Sequence, residues 1–246
     1  MKFTRLATGI AAAVFATGGF AAPASATPAA PTSSSTSPGA TSEVLTLTEA
    51  DEAQLRGFFD EYDVDAAVQD SLIARIESGK PWLSLTKGAK PVSERVEVND
   101  DMKERISTYA DGSIAVSGME IPAPPAASGT MSTMSVGGCS TSSTAYKSTY
   151  TNCLADVNLG VVRMYFRFNW QKTYGVSATI TGFNPDSYGG HCIGCSLSDN
   201  RVYRISSTDV RYAATSSVAW DGSPIQMTAY MGARTSLANG AYTYHN

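Results

Sequence analysis

The sequence predicts an α+β N-terminal module, a helical hairpin plus a small β meander, followed by an all-β, sandwich-like C-terminal domain. Three observations predict it. Residues 48–79 carry apolar side chains at helical spacing between capping residues. Residues 92–121 and 136–246 break into short alternating runs between turn residues. Within the second of these, residues 158–170 (NLGVVRMYFRFNW) form the longest alternating run. Its even positions, Val162, Met164, Phe166, Phe168 and Trp170, make one apolar face, because a strand sends successive side chains to opposite sides.

Taken in order, residues 1–26 read as a secretory signal peptide. Lys2 and Arg5 precede the uncharged run 7–22, and Ala24-Ser25-Ala26 is a small-x-small cleavage site. Gly18, Gly19 and Pro23 argue against a retained membrane anchor. The expectation is a secreted, extracellular protein with no transmembrane segment after cleavage. Residues 27–42 are rich in Pro, Ser and Thr and read as a disordered linker.

Residues 43–121 form the expected α+β module. Thr48 and Asp51 resemble a capping box, and Leu55, Phe58, Phe59 and Tyr62 fall on one helical stripe. Asp65 can cap a second helix bearing Val68, Leu72, Ile73 and Ile76, with Gly79 just past its end. Trp82, Leu83 and Leu85 are expected to close the underside. Asp60, Glu61, Asp63 and Asp65 lack the glycine and terminal glutamate of a calcium loop and read as caps and a solvated face. Strands are expected near 95–98, 105–109 and 114–119, with a turn at Asp111-Gly112. Residues 122–134 (PAPPAASGTMSTM) read as a second linker.

The remaining residues, 135–246, form the expected disulfide-stapled β-sandwich, with a closed barrel as the alternative. After the central run, Val176, Ala178 and Ile180 are expected on one face. Asn184-Pro185-Asp186 is expected to turn the chain, and Gly189-Gly190 to open a loop carrying His191, Cys192 and Cys195. Further strands are expected at 201–206, 209–214, 217–220, 225–232 and 241–245.

The net charge of −4 argues against a nucleic-acid partner. Charge is uneven along the chain. Residues 43–120 hold 17 acids and 8 bases, whereas residues 135–246 hold 5 Asp, no Glu and 8 bases. Either the acidic segment covers the basic one, or the two are separately solvated.

Four cysteines in an exported domain favour disulfides. They allow three pairings; the favoured one joins Cys139 to Cys153 and Cys192 to Cys195. The alternatives for HCIGC are a redox dithiol, or a zinc site using His191, Cys192, Cys195 and His245. Glycine-rich flanks between strands speak against both, and no cofactor or metal is expected. His191 could be drawn with Ser196 and Asp199 as a hydrolytic triad, but no nucleophile elbow is present. The absence of Glu from this domain disfavours a paired-carboxylate glycosidase. No catalytic residue is assigned.

The candidate binding residues are Arg163, Tyr165, Arg167, Tyr203 and Arg204, with Arg201, Arg211 and Tyr212 as possible additions. Guanidinium forks pair with carboxylate or phosphate, and aromatic faces stack on sugars. Such a face suits an envelope polymer, a glycan or an anionic surface. It also suits the acidic N-terminal module, or is simply a solvated sheet face.

The segments FFDEYDVDAAVQDSLIARIESGKPWLSL, YADGSIAVS and the terminal AYTYHN resemble a group of secreted two-module proteins of high-GC Gram-positive, actinobacterial type. The resemblance implies export and a two-module plan; it brings no catalytic residue and no substrate. The expected function is non-enzymatic binding of an extracellular or cell-envelope ligand. The alternative is a pro-protein whose acidic N-terminal module is cleaved to release a small toxin or hydrolase. An enzyme using His191 is a third reading.

Overall fold

The computed structural model describes residues 47–99, 101–123, 138–220 and 223–245. The chain divides into units 1–40 and 41–246, and every described residue lies in the second. The expected signal peptide, the first linker and nearly all of the second linker lie outside the described residues.

Helix α1 is Glu49–Glu61. The Thr48 hydroxyl accepts from the Asp51 amide at 3.2 Å, and the Asp51 carboxylate accepts from the Thr48 amide at 3.0 Å. A cap of this kind contributes about 1 kcal/mol. Helix α2 is Ala66–Glu77, capped by Asp65 and followed by Gly79 at φ 75°. Leu55, Phe58, Phe59, Tyr62, Leu72, Ile73 and Ile76 are buried as their spacing predicts. Trp82 is buried beneath them and donates from Nε1 to the Leu72 carbonyl at 2.8 Å. A 3-10 turn, Leu83–Leu85, follows, and the Leu83 amide donates to Asp111 at 2.8 Å.

The strands are β1 Ser93–Asn99, β2 Met102–Thr108, β3 Ile114–Glu120, β4 Ser140–Ser143, β5 Lys147–Asn158, β6 Val162–Thr173, β7 Ser177–Cys192, β8 Ser196–Ser206, β9 Asp209–Trp220, β10 Ser223–Ser236 and β11 Gly240–His245. They form two antiparallel sheets. One has the order β1-β2-β3-β5-β6-β7, with β4 also on β5; the other is β11-β10-β9-β8. An α+β N-terminal part thus leads into a β-rich C-terminal part.

The two parts are not separately cored modules. β3 pairs with β5 from Val116↔Asn158 to Met119↔Ala155, so one sheet runs through both. Ile114, Ala115 and Val116 are successive and all buried, as expected of a strand covered on both faces. Gly160, in the β5–β6 turn, abuts Trp82 and Phe58; a Cβ there would lie 2.9 Å and 3.1 Å from their rings. The boundary expected at 122–134 therefore separates two stretches of one sheet and one core.

The face assignment of β6 holds. Val162, Met164, Phe166, Phe168 and Trp170 are buried in one core with Val202, Val210, Tyr212, Met231 and Ala233 from the second sheet. Other expectations change. Residues 159–161 are turn, not strand. The polar run of β5 was not expected as a strand. Asn184-Pro185-Asp186 does not turn the chain: it bulges within β7, where the partner of Phe166 is Tyr188 and that of Phe168 is Phe183. The Asp186 amide closes the bulge onto Asn184 Oδ1 at 3.0 Å. Gly189, Gly190 and His191 are strand residues, not loop, held by pairing to Tyr165, Met164 and Arg163. Val176 sits in the turn before β7 and is 71% exposed, whereas Ala178 and Ile180 are buried. Residues 209–214 and 217–220 belong to a single strand, β9.

Cys139 pairs with Cys153, and Cys192 with Cys195. Among the described residues no helix is long and apolar enough to cross a membrane.

Candidate functional site

The five sequence-selected residues do not share one surface. Arg163, Tyr165 and Arg167 point from β6 to the side of the first sheet that carries the helix pair. Tyr203 lies on the outer side of the second sheet. Arg204, its neighbour in β8, points the other way and donates to the Ile180 carbonyl at 2.8 Å.

The β6 arginines are already engaged. Arg163 Nε lies 3.0 Å from Asp156, a buried carboxylate on β5. Burial raises the Asp156 pKa, and Arg163 opposes that shift. Arg167 lies 2.8 Å from Glu120 and donates to the Asn152 carbonyl at 2.6 Å. Glu120, buried at the end of β3, also accepts the amides of Cys139 and Leu154, each at 2.9 Å. Beside Arg163, His191 Nε2 meets Gln54 of α1 at 2.8 Å. Burial and the Arg163 charge lower the His191 pKa. This constellation ties β3, β5, β6, β7 and α1 together.

The triad drawn through His191 does not assemble. Ser196 pairs with Ser217, Asp199 sits at a left-handed bulge position (φ 51°), and the engaged imidazole nitrogen meets Gln54. Cys192 and Cys195 border a recess of about 370 Å3 with His191, Tyr188 and Tyr212. In this paired state neither sulfur is a thiolate that could bind zinc; the disulfide is also the oxidised form that a redox dithiol would take. Among the described residues no group of three or more His, Cys, Asp or Glu could hold a metal ion.

A basic-aromatic face does exist, on the outer side of the second sheet. Val210, Tyr212, Met231, Ala233 and Thr243 face the core, so their neighbours in β9, β10 and β11 face outward. The register places Tyr203, Arg211, Gly232 and Tyr244 in one row across four strands. The rows beside it hold Asp209, Arg234 and Tyr242 on one side, and Arg201, Ala213 and Tyr230 on the other.

Guanidiniums and rings stack across this face. Arg201 lies 5.3 Å from the Tyr203 ring centroid, Arg211 4.4 Å from Tyr230, and Arg234 4.6 Å from Tyr244. These are cation–π distances. Gly232 lets Tyr244 lie flat, because a Cβ there would run into the Tyr244 ring. Tyr244 is fixed by donating to Asp209 at 2.6 Å, and Arg234 forks onto the same carboxylate at 2.6 and 3.1 Å. Asp209 is the acid of this face, against three arginines. Arg211 sits at the centre: its Nε is buried without a hydrogen-bond partner. Burial works against its charge, but bonding to Tyr244 and Tyr203 outweighs this and raises its pKa.

Sequence reasoning reached Arg201, Tyr203 and Arg211 but missed Tyr230, Arg234, Tyr242 and Tyr244. The alternation was there to read, in TAYMGAR (228–234) and AYTY (241–244). Tyr212, grouped in the sequence with the β6 residues, instead points into the core, where burial pushes its pKa up to about 12. No family model, curated protein or solved structure matches the chain.

Proposed function

We propose that this is a secreted, non-enzymatic binding protein, a β-sandwich whose outer second-sheet face takes an anionic glycan of the cell envelope or its surroundings. The observation that carries the reading is the set of three Arg–Tyr stacks spread over β8–β11, with Asp209 beside them. Tyrosine rings offer flat apolar area with a polar edge, which suits the faces of sugar rings. Guanidinium forks supply paired donors for carboxylate, sulfate or phosphate groups. Adjacent strands are about 4.8 Å apart, so four strands offer a platform roughly 14 Å wide. The rings are held before any ligand arrives, which limits the ordering cost of binding.

The pro-protein alternative meets an obstacle in the sheet. Release of the N-terminal part after a cut past β3 would have to break the β3–β5 pairing and the packing of Trp82 and Phe58 on Gly160.

The test is titration of the protein with polygalacturonate and with a neutral glucan. The polyuronate is expected to bind with salt-sensitive affinity, and the neutral glucan far more weakly. Arg211→Ala should weaken polyuronate binding by about tenfold or more, equivalent to about 1.4 kcal/mol. Equal binding of both glycans, or an Arg211→Ala affinity unchanged from the native one, would overturn the reading.

A further inference from the structure

The two sheets differ in width, and among the described residues the difference leaves a strand-sized trough. β10 packs against β5, β6 and β7, and β11 against β3 and β5. The second sheet ends at β11, whereas the first continues through β2 to β1. Below that overhang run two adjoining recesses of about 560 and 290 Å3, which share Arg105, Ser117 and Thr243. Every residue from Ala241 to His245 lines one or both of them. The trough therefore follows β11 along its length.

One wall of the trough is backbone. β11 pairs with β10 on one side, and among the described residues no strand pairs with its other edge. An edge of this kind is a template for another strand. The roof is the underside of β1 and β2. Val96 and Val98 lie there, 58% and 65% exposed, an unusual state for valines in strands. Their register partners are Arg105 and Lys103. Neither base forms an ion pair among the described residues. Glu94 and Glu104 also border the trough, but Glu94 accepts a hydrogen bond from Ser107 at 3.1 Å, and Glu104 accepts from Tyr62 and Asn99 at 3.3 and 3.1 Å.

We infer that this trough is a strand-addition site for an extended acidic peptide. The peptide pairs with β11 as a fifth strand of the second sheet. Alternate side chains then face the roof, about 7 Å apart, which is also the repeat of Lys103 and Arg105 along β2. Carboxylates at those positions reach the two unpaired bases, and their methylenes cover Val96 and Val98. Main-chain pairing supplies affinity and the alternate pockets supply selectivity, as in other strand-addition sites. A basic or neutral peptide leaves Lys103 and Arg105 unanswered. The site is separate from the glycan face: it uses the free edge of β11, not the outer side of its sheet.

The experiment is fluorescence anisotropy of a labelled peptide alternating Glu and Thr, titrated with the full chain. Two control peptides are used, one with Lys for Glu and one with every second amide N-methylated. Saturable binding is expected for the acidic peptide alone. Lys103→Ala combined with Arg105→Ala should weaken it by about tenfold or more, whereas Arg211→Ala should leave it unchanged. The N-methylated control leaves the protein untouched, so it tests strand pairing even if the double variant folds poorly. Absence of saturation overturns the proposal. Equal binding of the N-methylated peptide also overturns it, since the contact is then ionic without strand addition. A dimer in sedimentation that the acidic peptide fails to dissociate overturns it too, because a second copy then holds the edge.

Discussion

The outer sides of the two sheets carry similar residues among different neighbours. On β6, Arg163, Tyr165 and Arg167 alternate along one strand. On β8–β11, Arg201, Arg211 and Arg234 stand among Tyr203, Tyr230, Tyr242 and Tyr244. The β6 guanidiniums meet carboxylates from β5 and β3, namely Asp156 and Glu120, both under 10% exposed. The Arg163 pair lies beside His191, which meets Gln54 of α1, and the Arg167 pair joins β6 to the end of β3. In the second sheet, Arg201 and Arg211 meet rings rather than carboxylates. The lesson is that an Arg–Tyr alternation does not define a binding face. On β6 the neighbouring strands answer both arginines with acids, whereas on the second sheet Asp209 answers Arg234 and the ion pairs among the described residues include neither Arg201 nor Arg211.

The comparison can be broken most sharply at Glu120. Glu120→Ala strands the Arg167 charge and two backbone amides, so it should cost about 3–5 kcal/mol of stability, read as a lower urea midpoint. Glycan affinity of the folded fraction should be unchanged. A small stability loss would mean that the β6 face is not the clamp described here. Arg211→Ala is the converse: a stability change within about 1 kcal/mol, because the side chain meets rings and no carboxylate and its removal frees a buried, unpartnered Nε, beside the tenfold loss of glycan binding. Gly232→Ala should act more gently. The added methyl tilts the Tyr244 ring, and glycan affinity should fall by about threefold, well under 1 kcal/mol, with Arg211 still in place. An affinity unaffected by this change would remove Tyr244 from the platform.

The smallest expected effect is one of pH, and it separates the faces by titration. His191 has a lowered pKa in the folded chain because burial and Arg163 disfavour its charge. The unfolded chain therefore binds the proton more readily. The stability tied to neutral His191 is fully present above its ordinary value of about 6.5 and declines as pH falls below that. Melting temperature measured from pH 7.5 to 5.5 should fall less steeply in His191→Gln than in the native protein. Identical slopes would show that the imidazole environment is not set by Arg163 and the helix contact. The raised Asp156 pKa has the opposite sign: its ionisation costs stability as pH rises. The His191→Gln comparison isolates the histidine contribution from it.

Much of the local structure was legible in the sequence. The helix caps at Thr48 and Asp65, the apolar stripes, Gly79 and the inward face of β6 follow from spacing and capping chemistry, which are short-range. The disulfide partners expected from residue position are those observed. β5 escaped notice because KSTYTNCLADVN is polar over its first half, with Asn152 at φ 59° interrupting the alternation. Its strand character comes from partners on both sides. β7 escaped division for a similar reason: Asn184-Pro185-Asp186 is turn chemistry, and only pairing on either side of it to β6 makes it a bulge.

By itself the sequence determined where helices begin and end and which face of β6 is apolar, because these depend on neighbours within a few residues. Tertiary structure alone decided that β3 enters the sheet beside β5 and that Glu120 and Asp156 answer the β6 arginines. It also decided that Tyr203 and Arg211 join Tyr230 and Tyr244 on an open face. The physical reason is register. Which side chains meet across strands is set by backbone pairing between segments up to dozens of residues apart, and such pairing leaves only a faint periodic trace in any one of them.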